Sequence, residues 1–383
     1  MYPVKKLQDC ATIIAGQSPE SKYYNTVGDG IPFFQGKADF GELYPSARVY
    51  CTNPTKIAQY NDILLSVRAP VGPTNLSPGK VCIGRGLAAI RPDSSLNLKY
   101  LLYYFRYFES QLSSKGTGTT FKAITQKTIK NLDVPAPPME EQVKIVARID
   151  ELFSELDKVV GTLKTTKEQL EVYRQAVLKD AFSDFEKKDS IRNLTMVVTS
   201  GSRGWAKYYS NSGALFVRIG NLTHSGIDID FRDIQHITPP DNAEGVRTRL
   251  QPNDVLVSIT ADLGSIGFVS EKVEEAYINQ HIALVRFQNP VQGRFMAWYL
   301  RSEYGQKDLL KNKRGGGKLG LGLDDIRDTP VPIVDDITAK EIVDKVEEQL
   351  SVCDSIEKTV DTALTQADAM RQSILKQAFE GTM

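Results

Sequence analysis

The longest regular pattern in the chain is a heptad stripe. Ile149, Leu152, Leu156, Val159, Leu163, Thr166, Leu170, Tyr173 and Val177 follow one another at alternating steps of three and four. Moving on by 197 positions gives Val346, Gln349, Cys353, Ile356, Val360, Ala363, Ala367, Met370 and Ile374, the same register with smaller side chains. A sustained 3.5-residue period predicts helices that need a partner helix. About 40 residues at ~1.5 Å each make a rod of roughly 60 Å. Residues 139–182 and 336–380 hold almost no Gly or Pro past their starts, and Pro137-Pro138 and the Pro332 region mark where each helix can begin. Gly161 weakens the first helix locally by about 1 kcal/mol relative to Ala.

Between these rods the pattern changes. Residues 1–138 and 186–335 are rich in Gly, Pro, Tyr and β-branched residues, and short apolar runs end at turn residues. NDILLSV (61–67) and NDVLVSI (253–259) read as equivalent strands. RQAVLKDAF (174–182) and RQSILKQAF (371–379) agree at six of nine positions. The chain is therefore a tandem repeat: globular segment 1–138, helix 139–185, globular segment 186–335, helix 336–383. The expected fold is α+β, with two similar mixed domains separated by two long antiparallel helices. Equivalent halves of this kind can close in a circular, pseudo-twofold arrangement. Two similar surfaces a fixed distance apart suit a split site on a duplex.

Charge sharpens this reading. The net charge is zero, but the four segments carry +7, −3, +1 and −5 in turn. Relatively basic blocks alternate with acidic ones, and the average conceals a possible footprint for nucleic acid. Cys10, Cys51, Cys82 and Cys353 lie far apart with no CxxC pair, so neither a disulfide framework nor a zinc finger is expected. No run of 18 apolar residues exists, and the start MYPVKKLQDC has no apolar leader region; the expected location is cytoplasmic.

The motifs of catalysis are missing. His224, His236 and His281 show no HExxH spacing, and GxSxG, GxxxxGK[ST] and a strand-to-helix GxGxxG do not occur. Asn53-Pro54 is followed by Thr55-Lys56, unlike the motif of an adenine methyltransferase. No catalytic residue, metal site or cofactor of its own is expected. Two Gly-rich basic stretches do stand in register. Lys115, Thr117, Thr119 and Lys122 flank glycines in the first, and Lys313, Arg314 and Lys318 flank them in the second. Glycine lets the backbone approach a phosphate, and the neighbouring N–H, hydroxyl and cationic groups supply donors. Gln35 and Lys37 after IPFF, and Arg218 and Asn221 after ALFV, are side chains of the type that read base edges. Arg68 and Thr260 follow the paired NDILLSV and NDVLVSI runs. Arg203 and Lys207 bracket Trp205, and Arg247 and Arg249 flank another loop.

These residues resemble a known family, the specificity subunits of Type I restriction-modification systems. VKKLQDCATIIAGQSP is similar to the family's usual start, NDILLSVRAPVG and NDVLVSITADLGSIG to its strand-turn element, and RQAVLKDAF and RQSILKQAF to its helix ends. LDVPAPPMEEQVKIVARIDELFSELD resembles its Pro-Pro, Glu-Gln entry into the first helix, whereas the second half reads IVDDITAKEIVDKV at that place. The resemblance implies two target-recognition domains on double-stranded DNA, with the helices as ruler and as docking site, at Glu151 and Glu155 among others, for two modification subunits. Those partners would bind S-adenosylmethionine and methylate adenine, and restriction subunits could join. A stand-alone repressor-like protein, or the specificity part of a fused restriction-methylation enzyme, are the alternatives.

Overall fold

In the computed structural model, residues 2–116, 123–311, 313–314 and 319–381 are described. They form two compact units. The first holds residues 1–163 with 361–383, the second residues 164–360. Each unit takes half of each long helix.

The first unit runs β1 Val4–Lys6, β2 Ala11–Ala15, β3 Tyr24–Asn25, β4 Ile31–Phe34, β5 Tyr50–Cys51, β6 Ile57–Ala58, β7 Ile63–Ser66, β8 Thr74–Leu76, β9 Val81–Ile83 and β10 Leu87–Pro92, then α1 Leu98–Ser114, α2 Gln126–Lys130, β11 Asp133–Pro135 and the start of α3 Met139–Ala181. The second runs β12 Lys188–Ser190, α4 Ile191–Leu194, β13 Thr195–Ser200, β14 Tyr209–Ser210, β15 Ala214–Val217, β16 Gln235–Ile237, α5 Ala243–Thr248, β17 Val255–Ser258, β18 Ile266–Phe268, β19 Ala276–Ile278 and β20 Ile282–Phe287. Then follow α6 Gly293–Arg301, α7 Glu303–Leu309, α8 Leu323–Arg327, β21 Pro330–Pro332 and the start of α9 Asp336–Glu380.

The two units are built alike. A sheet β2-β10-β7-β8 in the first corresponds to β13-β20-β17-β18 in the second, and the ribbon β1-β11 to β12-β21. A further sheet, β3-β5-β4-β9-β6 or β14-β16-β15-β19, contains one parallel pair in each case, β4 with β9 and β15 with β19. The strands are short, and Ile63–Ser66 and Val255–Ser258 within the NDILLSV and NDVLVSI runs are buried throughout, as continuous apolar runs require. Even the supporting ion pair is repeated. Arg91 donates twice to Asp62 at 2.7 Å, and Arg286 donates twice to Asp254 at 2.7 Å. Asp62 and Asp254 each also accept a backbone N–H three residues earlier in the chain, from Gln59 and Gln251. Burial pushes the Asp254 carboxyl up, while Arg286 and the Gln251 N–H pull it back.

Helices α3 and α9 begin directly after Pro138 and Asp335, and α3 continues through Gly161. In the second unit they run antiparallel: Arg174 pairs with Asp354 at 2.7 Å and Glu357 at 3.0 Å, and Asp180 with Lys345 at 3.5 Å. In the first unit, Ile145, Val146, Ile149 and Phe153 share one core with Ile374, Leu375, Ala378 and Phe379. The heptad register needs correction at alternate positions. Val159, Tyr173, Ile356 and Met370 are exposed, whereas Phe153, Arg174, Leu350 and Val343 are buried. The buried seam therefore steps through 149, 153, 156, 170, 174 and 177, with Arg174 in place of Tyr173. An arginine can fill such a place because its stem packs and its head finds a carboxylate. Its repeat counterpart Arg371 pairs with Asp157.

The Pro-Pro, Glu-Gln motif has a mechanical reading. Gln142 is fully buried at the start of α3. Its side-chain amide donates to Ser95 O at 2.9 Å and Pro137 O at 2.8 Å, and its carbonyl accepts the Asn97 N–H at 2.8 Å. It ties the helix to the segment that caps α1. The second unit has Ala339 at the matching helix position and reverses the direction: Gln292, ahead of α6, donates to Val334 O at 2.8 Å and Asp336 Oδ1 at 3.0 Å. The departure in sequence keeps the same junction with the donor on the other side.

Candidate nucleic-acid interface

Three loop stems of the first unit meet beside the ends of β4, β7 and β9. The Val67 N–H donates to Gly86 O at 2.9 Å, and the Gly84 N–H to Phe34 O at 2.8 Å. Gly86 lies so close under Gln35 that a Cβ there would stand 2.2 Å from the Gln35 carbonyl, so only glycine fits. The Ser66 hydroxyl donates to Arg68 O at 3.1 Å and Pro70 O at 2.8 Å. The stems enclose an open cleft of about 550 Å³ whose lining includes Gln35, Lys37, Arg68 and Arg85. The fold thus brings Gln35, Lys37 and Arg68 together and adds Arg85, which sequence reading passed over. The signal was present in Ile83-Gly84-Arg85-Gly86, a lone cation held between two glycines. All four side chains are exposed, and among the described residues Lys37, Arg68 and Arg85 form no ion pair with a carboxylate. Half-buried Glu109 stands further off. Burial pushes its carboxyl up, and Lys37 and Arg106 pull it down.

Aligning β15, β17 and β19 on β4, β7 and β9 places Arg218, Gly220, Thr260 and Gln280 where the first unit has Gln35, Lys37, Arg68 and Arg85. The chemistry differs. Arg218 reaches Asp233, at 3.2 Å to its carbonyl and 3.4 Å to its carboxylate. Thr260 Oγ1 bonds His281 Nδ1, and His281 Nε2 lies 2.9 Å from the Gln280 amide nitrogen. Asn221 is not available as a base reader. It is buried, accepts the Arg218 N–H at 2.8 Å, and donates to Asp230 O and Asp233 O. Arg247 is likewise occupied, at 2.7 Å from Thr199 Oγ1, Ser200 O and Ser202 Oγ. Arg249 sits 3.6 Å from Glu275. Arg203 and Lys207 are exposed, with Lys207 over the Tyr208 ring at 4.8 Å. Trp205 between them is core, stacked on Phe216.

Of the Gly-rich stretches, Thr117, Thr119, Lys122 and Lys318 lie outside the described residues. Lys115 is exposed over the Phe108 ring at 5.6 Å. Lys313 is exposed, while Arg314 donates to Asp325 at 2.7 Å and its backbone pairs with Gly320. On α3, Glu151 is exposed and bonded to Arg148 at 2.6 Å, and Glu155 is exposed.

One cluster has the composition of a hydrolase triad. His224 Nε2 lies 2.8 Å from Asp262 Oδ1 and 3.1 Å from Ser265 Oγ. A relay needs the carboxylate on one ring nitrogen and the hydroxyl on the other. Here both share Nε2, so the histidine cannot pass a proton between them. Among the described residues no group of His, Cys, Asp or Glu could hold a metal ion, and no helix is long and apolar enough to cross a membrane.

A duplicated chain, each copy joining the same strand frame to segments of two long helices, defines the class. The profile of the family described as Type I restriction modification DNA specificity domain matches residues 2–171 and 220–366, and the chain belongs to that family. The sequence is similar to the MjaX specificity subunit of Methanocaldococcus jannaschii, 41% identical over 43% of this chain and 38% of that protein. It is also similar to the EcoBI specificity subunit of Escherichia coli (24% identical, 76% of this chain, 67% of that one) and the StySPI specificity subunit of Salmonella potsdam (26%, 80% and 70%). The chain thus spans between about two fifths and seven tenths of these relatives' lengths. Among solved structures, the HsdS subunit from Thermoanaerobacter tengcongensis is 49% identical over 40% of this chain and 38% of that one, with a TM-score of 0.38. These relatives are named as specificity subunits of Type I restriction enzymes.

Proposed function

We propose that the chain is the specificity subunit of a Type I restriction-modification complex, in which each unit reads one half of a bipartite duplex site. The observation that carries this is the duplication itself: the same frame appears twice, with different side chains at the same four cleft positions. A frame kept constant around variable polar and cationic groups is what reading two different half-sites requires. The acidic helices are the surface on which modification subunits dock, with Glu151 and Glu155 among the contacts, and restriction subunits join that assembly. S-adenosylmethionine belongs to the modification partner. The test is co-purification with the product of the adjacent gene, followed by mapping of methylated adenines. The expected result is a stable complex that methylates a split sequence. Reversing Glu151 and Glu155 to lysine should weaken that complex on a sizing column and leave the sequence unchanged. Methylation by the chain alone, or a chain that binds a duplex but assembles with no methyltransferase partner, would overturn the proposal.

A further inference from the structure

We infer that the cleft of the first unit recognises guanine, through Arg68 and Arg85, and that Lys37 at its edge holds the phosphate backbone. The inference rests on the DNA-reading proposal above and assigns that site its base and its readers. Three observations carry it. First, both guanidinium groups are exposed and, among the described residues, paired with no carboxylate, so their donors are free for a ligand. Arg91 and Arg48 nearby are instead bound to Asp62 and Asp39.

Second, their roots are rigid. Arg68 follows a fully buried strand and its own carbonyl is held by Ser66. Arg85 stands between Gly84, whose N–H is bonded to Phe34 O, and Gly86, whose carbonyl accepts from Val67 and whose Cα is pressed under Gln35. Its own N–H reaches Ser18 Oγ at 3.4 Å. A side chain on a fixed root can aim at one base edge, and an arginine fork matches the O6 and N7 acceptors of guanine in the major groove. Lys37, a compact charge on a flexible stem, suits phosphate.

Third, the matching positions of the second unit are Thr260 and Gln280, joined through His281, with no cation at either. The guanine preference therefore belongs to one half-site only.

The test is selection from a pool of randomised duplexes, using the full chain alone and its complex with the modification subunit. Wild type is compared with Arg68→Ala, Arg85→Ala, Arg85→Lys and Lys37→Ala. The arginine variants should lose discrimination for a G·C pair at one position each of one half-site by about 5- to 150-fold. The other half-site should remain. Arg85→Lys should keep most of the affinity and still lose the discrimination, since a lysine retains the charge without the fork. Lys37→Ala should weaken all sequences alike. Unchanged motifs in both arginine variants, or relaxation at an A·T position, would overturn the assignment of guanine and leave DNA reading standing. If wild type enriches no duplex in either form, DNA reading fails and this inference with it.

Discussion

The two units share a scaffold almost element for element and part company at the cleft. In both, a buried aspartate before the central strand holds an arginine from the neighbouring strand. In both, a cationic side chain and an aromatic one from the following helix meet a carboxylate on a long helix: Lys99 and Tyr103 with Asp150, Arg294 and Trp298 with Glu347. Yet the four cleft positions read Gln, Lys, Arg, Arg in one unit and Arg, Gly, Thr, Gln in the other. The comparison separates the residues that keep the frame from those that give each copy its chemistry.

The frame should break hardest at the buried arginine–aspartate pair. Arg286→Ala leaves Asp254 wholly buried without its partner and should cost about 3–5 kcal/mol. Arg91→Ala should fall at the lower end, about 3 kcal/mol, because Arg91 is 37% exposed against 19% for Arg286. Urea unfolding of the full chain measures both. The helix junction comes next. Gln142→Ala strips three hydrogen bonds from a fully buried side chain and should cost about 2–3 kcal/mol, whereas Gln292→Ala, partly open to water, should cost about 1 kcal/mol. Equal losses would mean that the difference in burial does not set the cost of losing each junction. The seam gives a smaller contrast: Arg174→Ala should lose about 1–2 kcal/mol and Tyr173→Ala under about 0.5 kcal/mol. The opposite order would restore the apolar register. Smallest is the second Gly-rich loop. Replacing Lys313 and Arg314 by Ala should lower the slope of log affinity against log salt by about one, not two, because Arg314 is already held by Asp325.

Much of this was legible in the sequence. The repeat, the two long helices and the paired strand motifs follow from periodicity and from the offset of 197. The seam register did not, because apolar periodicity cannot mark Arg174 as buried or Arg371 as half-buried; both pair with carboxylates supplied by the other helix. Residue type alone also misplaced Asn221, which spends all its hydrogen bonds on its own loop, and passed over Arg85, whose place becomes visible only when three loops meet. Gln35, Lys37 and Arg68 were nominated by position, one to three residues past the ends of strands β4 and β7, and the fold brings them to one cleft.

On the proposal above, one frame, used twice, reads two different half-sites. Sequencing the duplexes selected from a randomised pool by the chain in complex with its modification subunit tests it most directly. The predicted result is a motif of two unlike halves separated by a gap of fixed length and free sequence. A single contiguous motif, or two identical halves, would contradict it.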